Sequence, residues 1–221
     1  MSESDIIRTI TVYLLPVLFA ISLRESARGY VARYFGDPTA EEQGRLTFNP
    51  LPHIDIFGTL VLPLLLALLH LPLFGFSKPT PVDYSRLRNP KKHMAFVAAA
   101  GPAASFVIGL AWMLALVILH AMQADDFFIQ MAKAGVSVNS VLLVFNLIPI
   151  PPLDGGRIMI GILPMHLARP YASIERYSTF VMIGLILLMQ GGMMQGLLAA
   201  GMQFFQTIFY VLATPLIYLL S

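Results

Sequence analysis

Four charged side chains stand out deep in, or just beyond, long apolar runs. Arg24, Glu25 and Arg28 sit late in the run Ile6–Tyr34, and Asp154 follows the run Phe127–Ile150. Burying one charge in a bilayer costs roughly 2.5–3.5 kcal/mol on insertion scales, so such residues point to function by default. Arg24 and Arg28 are four residues apart and share one helix face, with Glu25 beside them. Two guanidinium groups and two carboxylates can build an ion-pair cluster or an ion site. The competing reading is a cytosolic helix end that carries a solvated ion pair. In Asn146-Leu-Ile-Pro-Ile-Pro-Pro-Leu-Asp154-Gly-Gly-Arg157 the prolines break the helix and bring backbone and carboxylate into the membrane region.

The elements that must position these groups are membrane helices. Of the 221 residues, 57% are hydrophobic and 12% charged, against about 25% charged in a typical soluble domain. The mean hydropathy is +0.75. This composition excludes a disordered chain and an ordinary soluble enzyme. A net charge of +2 offers no basic surface for a polyanion, so no nucleic-acid partner is expected. The chain has no cysteine, which excludes disulfides, thiolate nucleophiles and Cys-ligated zinc. The polar, acidic start Met1–Asp5 lacks the basic region of a signal peptide, so Ile6–Tyr34 is read as one long membrane helix.

The other apolar runs are Ile54–Phe76, Met94–Met122, Phe127–Ile150, Tyr177–Gln190 and Met194–Leu220. A span needs roughly 20 apolar residues. Pro63 and Pro72 interrupt Ile54–Phe76, with Gly58 and Gly75 near its ends. A broken segment at membrane depth must be covered by protein or water, so this run is read as dipping in and returning. Turn residues bracket the short alternating stretch Arg45-Leu-Thr-Phe, which reads as a small strand or hairpin, with an ordinary loop as the alternative. The expected fold is an all-α polytopic membrane protein of one domain, residues 1–221. It has about five to six transmembrane helices, one proline-broken re-entrant segment and a small β-hairpin after the first helix.

The remaining polar residues are weighed separately. His53 and Asp55 are spaced like a metal pair, but capping or hydrogen bonding near the interface is the preferred reading. His70 and His120 read as interface or core histidines, His93 as solvated or near headgroups, and His166 has no assigned role. The methionines of the last third read as packing, and Gly191-Gly192 as a turn between the last two helices.

Several motifs in order resemble the site-2 protease family, zinc metalloproteases that cut peptide bonds inside membranes. They are Arg24-Glu-Ser-Ala-Arg28-Gly-Tyr-Val-Ala, Gly36-Asp-Pro-Thr-Ala, Gly44-Arg-Leu-Thr-Phe-Asn-Pro and His53-Ile-Asp55. Phe76-Ser-Lys-Pro-Thr-Pro-Val, Ala100-Gly-Pro102 and Phe145–Arg157 follow. The resemblance covers the core motifs 21–163, and the C-terminal helices 174–221 continue the pattern. The small size resembles the short prokaryotic branch. The resemblance implies His-Glu-x-x-His on the first core helix, with two His as zinc ligands and the Glu as general base. It implies Asp154 as third ligand and Glu25 as the base. Here Arg24 and Arg28 occupy both His positions. A guanidinium is always protonated and has no lone pair for a metal, so the chain as written is expected not to bind zinc at this site. A smaller departure is Ser105, where the family usually has Asn.

The family site nets zero charge, with Zn²⁺, Glu⁻ and Asp⁻. Two Arg⁺ facing Glu25⁻ and Asp154⁻ also net zero, so Arg24 and Arg28 are expected to replace the metal's charge by pairing with them. A double Arg that merely abolishes activity is the simpler alternative. In the family's chemistry zinc activates water and Glu25 would move its proton. The resemblance further implies that the strand Arg45, Leu46, Thr47, Phe48 and Asn49 pairs with an unwound substrate, and that Asn146 holds substrate backbone. The implied substrates are transmembrane or membrane-associated peptides.

Glu25 and Asp154 must meet at one depth, so their helices should run the same way, with Met94–Met122 crossing back between them. The basic loops then fall on one side, which the positive-inside rule makes cytosolic. The expected location is a multi-pass cell membrane protein, of prokaryotic plasma membrane type, with its N-terminus outside and C-terminus cytosolic. The readings left open are a protease with inactivating residues, a non-catalytic binder of membrane helices or partners (a pseudoprotease), and a small transporter.

Overall fold

A computed structural model describes residues 3–61, 78–189 and 192–220. Eight α-helices carry the described part. They are α1 (Glu3–Tyr34), α2 (Thr39–Glu42), α3 (Pro90–Ala121), α4 (Asp126–Leu147), α5 (Asp154–Ile162), α6 (Met165–Ala172), α7 (Ser178–Met189) and α8 (Gly192–Leu220). Single 3₁₀ turns at Leu51–His53, Tyr84–Arg86 and Ser173–Tyr177, and a π-helical turn at Ile56–Val61, fill the connections. Helix starts follow local chemistry. The Asn89 side chain accepts from Lys92 N–H and Pro90 opens α3, while the Asp125 carboxylate accepts from Phe127 N–H at the start of α4.

Four helices are long and apolar enough to cross a membrane: Ile7–Tyr34, Pro90–Ala121, Asp126–Leu147 and Met194–Leu220. The expected fifth crossing, Tyr177–Gln190, corresponds to α7, which has 12 described residues and is followed by Gln190 and Gly191, outside the described residues. The re-entrant reading rests on Pro63 and Pro72, which lie outside the described residues, as do His70 and Gly191.

Helix α3 is the hub, packing against α1, α4, α5 and α8. Close approach to α4 depends on Gly135, where an added Cβ would sit 2.3 Å from the Trp112 ring. Phe209 of α8 is fully buried between Val136, Leu143 and Phe106. Large apolar side chains such as Val107, Phe180, Phe204 and Tyr218 face outward, as expected where the surrounding solvent is lipid.

Helix directions follow from the ion pairs at the two ends of α1. Arg8, near the start of α1, meets Asp126 at the start of α4 at 2.8 Å. Arg24 and Arg28, late in α1, meet Asp154 just beyond the end of α4. The two helices therefore run the same way, and α3 runs against both.

The expected hairpin is absent: among the described residues there is no strand. Arg45–Asn49 is an irregular segment. The Thr47 carbonyl, which a ladder would use, is taken by the Ser26 hydroxyl and by His53 Nε2 at 3.1 Å. Gly44 enters the segment at φ +65°, a turn conformation rather than an extended one.

Candidate functional site

The last third of α1 supplies three of the four charged groups. Arg24 and Glu25 are 7% and 5% exposed, and Asp154, the first residue of α5, is 2% exposed. Arg24 Nη2 donates to Asp154 Oδ2 at 3.2 Å. Arg28 Nη1 donates to Glu25 Oε1 at 2.9 Å, and Arg28 Nη2 donates to the same Asp154 oxygen. The pairing expected from the charge count is thus in place, with one carboxylate oxygen taking both guanidinium groups. Asp154 also carries its negative charge at the start of α5, where the helix dipole favours it.

Local sequence explains the arrangement. The Pro149–Pro152 stretch cannot continue α4. It turns the chain tightly enough that a Cβ on Gly155 would lie 2.3 Å from the Leu147 carbonyl oxygen. Opposite the cluster, α3 leaves only a glycine. A Cβ on Gly101 would meet Arg28 Nε at 2.9 Å and Asp154 Oδ2 at 3.1 Å.

The second oxygen of Glu25 is held from outside α1. Thr80 N–H donates to Glu25 Oε2 at 2.6 Å, and Thr80 Oγ1 donates to the Glu25 carbonyl at 2.9 Å. Thr80 is flanked by Pro79 and Pro81, which have no N–H. That spacing leaves one backbone donor in an extended stretch, and it was the available signal for a role the sequence reading did not assign to Thr80. Lys78 N–H donates to the His53 carbonyl at 3.1 Å, and Arg45 Nη2 donates to the Lys78 carbonyl at 3.0 Å. The 78–80 segment thereby ties Glu25 to the Arg45–Asn49 segment.

The other expected site residues fall as follows. Leu46 packs on Gly29 of α1, within 2.9 Å of where a Cβ would stand. Phe48 is exposed and lies against Tyr30, ring centroids 5.6 Å apart. Asn49 Oδ1 caps Leu51 N–H at 3.0 Å, and Thr47 Oγ1 accepts from Asn49 N–H at 3.1 Å. Asn146 is not brought to the cluster by any hydrogen bond: its amide donates to Leu142 of its own helix at 2.8 Å. His53 is fully buried on Thr47, and Asp55 Oδ1 caps Gly58 N–H at 2.7 Å, so both do the capping and bonding work preferred for them. Ser105 is fully buried on α3.

Beyond Asp154, Arg157 pairs with Glu175 and donates to the Tyr84 hydroxyl at 3.2 Å. Burial pushes the Tyr84 phenol above its usual value.

Comparison with known proteins decides the family. Residues 117–189 match the model of "Peptidase family M50", a stretch that contains Asn146–Arg157 but not the Arg24–Arg28 turn. Over 215 residues the chain is 32% identical to "Putative zinc metalloprotease YwhC" of Bacillus subtilis (strain 168), covering 92% of this chain and 93% of the relative. The chain belongs to the M50, or site-2 protease, family. A second relative with the same description, Rip2 of Mycolicibacterium smegmatis (strain ATCC 700084 / mc(2)155), is 30% identical over 181 residues, covering 77% of this chain and 64% of that protein. No solved structure matches the chain.

Membership of the M50 family implies zinc, and the residues present at this M50 site do not fit it. At the two α1 positions where the resemblance expects zinc ligands stand Arg24 and Arg28, guanidinium groups that donate and never ligate. Both spend donors on Asp154, the carboxylate that the resemblance expects as the third ligand. Among the described residues no group of three or more His, Cys, Asp or Glu could hold a metal ion.

Proposed function

We propose that this M50 chain is a membrane-embedded protease frame that, with Arg24 and Arg28 in place, holds peptide segments without hydrolysing them. The observation that carries this reading is the double engagement of Asp154 by Arg24 and Arg28. A zinc ion there would have to displace two cations and compete with them for one carboxylate. Removing the zinc removes the means of activating water in this family's chemistry. The Arg45–Asn49 segment is supported as a binding element by the exposed Phe48 over Tyr30 and by the strap that ties it to Glu25. Its proposed partners are transmembrane or membrane-associated peptides, engaged in a multi-pass cell membrane protein with its N-terminus outside and C-terminus cytosolic.

The test uses the purified chain in liposomes with a membrane-helix peptide and added zinc. The expected result is no cleavage, together with crosslinking of the peptide to a photoreactive group placed at Phe48. Zinc-dependent cleavage by the chain as written would overturn the proposal. Absence of crosslinking at any peptide concentration would remove the binding role.

A further inference from the structure

We infer that Arg24 and Arg28 act as the structural cation of this fold, taking over the mechanical task of tying α1 to α5. The inference rests on the reading that no zinc sits at Asp154. Among the described residues no Cα of α1 lies within 8 Å of a Cα of α5; both helices pack on α3 instead. The gap between them is spanned by the side chains of Arg24 and Arg28, which converge from α1 on one oxygen of Asp154.

The geometry suits this task. Arg28 is a two-pronged bridge: Nη1 holds Glu25 on its own helix, and Nη2 reaches across to Asp154. The planar guanidinium fixes both bonds in one rigid fork. The Arg28 and Asp154 side chains are 15% and 3% exposed, so the pair is weakly screened. Glu25 and Asp154 on one side and two guanidinium groups on the other leave the cluster neutral, as two carboxylates and a divalent cation would. Gly101 lies on the third side, where an added Cβ would stand 2.9 Å from Arg28 Nε, so α3 packs closely against the bridge. The fold that results needs no metal.

Thermal unfolding of the full chain in detergent, with and without chelator, tests this. Breaking a buried pair by removing one partner, in a chain of this size, corresponds to a melting-point loss of about 6–20 °C. Asp154→Asn is expected to lose that much in the native background. In an Arg24→Gln, Arg28→Gln background the same change should cost nothing, because Asp154 is then an unpaired buried charge. Equal losses in both backgrounds would overturn the inference, since they would show no coupling. If Asp154→Asn does not fold, Arg28→Lys keeps the charge but loses the fork, and an unchanged melting point would overturn it equally. Chelator should leave the melting point of the native chain unmoved. A fall with chelator would instead overturn the metal-free reading underneath, and so separates the two failures.

Discussion

Gly101→Ala adds one methyl group at the crowded side of the ion-pair cluster. Its Cβ would stand 2.9 Å from Arg28 Nε and 3.1 Å from both Arg28 Nη2 and Asp154 Oδ2. A flexible arginine could ordinarily swing aside. This one is held at its two ends, by Glu25 at 2.9 Å and by Asp154, so movement stretches an ion pair. Overpacking of this kind costs about 1–3 kcal/mol, offset by about 0.5–1 kcal/mol from the better helix former. Gly184 on α7 is the matched control, because an added Cβ there meets nothing within 4 Å. Gly184→Ala keeps only the gain. At roughly 2–4 °C per kcal/mol for a chain of this size, Gly101→Ala should melt about 2–12 °C below Gly184→Ala. Differential scanning fluorimetry of the two variants in one detergent reads this directly. Equal melting points would refute the close packing of α3 on the cluster.

Three further outcomes are expected. Arg8→Ala should change stability by no more than about 1 kcal/mol in chemical denaturation, because its pair with Asp126 is 55% and 66% exposed. Thr80→Val should cost about 1 kcal/mol, since it removes the hydroxyl bond to the Glu25 carbonyl but keeps the backbone N–H on the carboxylate; unfolding midpoints measure it. A cysteine at Ser85, exposed in the turn after the strap, should react with a membrane-impermeant maleimide from the cytosolic side only, and reaction from outside would reverse the proposed orientation.

The apolar runs marked most of the helices, because period and length are local properties. The pairing of Arg24 and Arg28 with the two carboxylates was also legible, since neutrality at buried depth left few other arrangements. Other features were not. The Arg45–Asn49 segment alternates like a strand, yet Ser26 and His53 take its central carbonyl, and among the described residues there is no strand to complete a ladder. The bond from the Asn146 amide to Leu142, one turn back in its own helix, was not foreseen either. Thr80 lies 55 residues from Glu25, and only the flanking prolines hinted that its N–H was free to travel.

The central claim is that the Arg24 and Arg28 pair stands where the family's zinc would be held. Metal analysis of the purified chain after equilibration with zinc, beside the Arg24→His, Arg28→His variant, tests it most directly. The account predicts well under one tenth of an equivalent in the chain as written and about one equivalent in the variant, the fourfold zinc site needing only its two imidazoles back. One equivalent of zinc in the chain as written would contradict it.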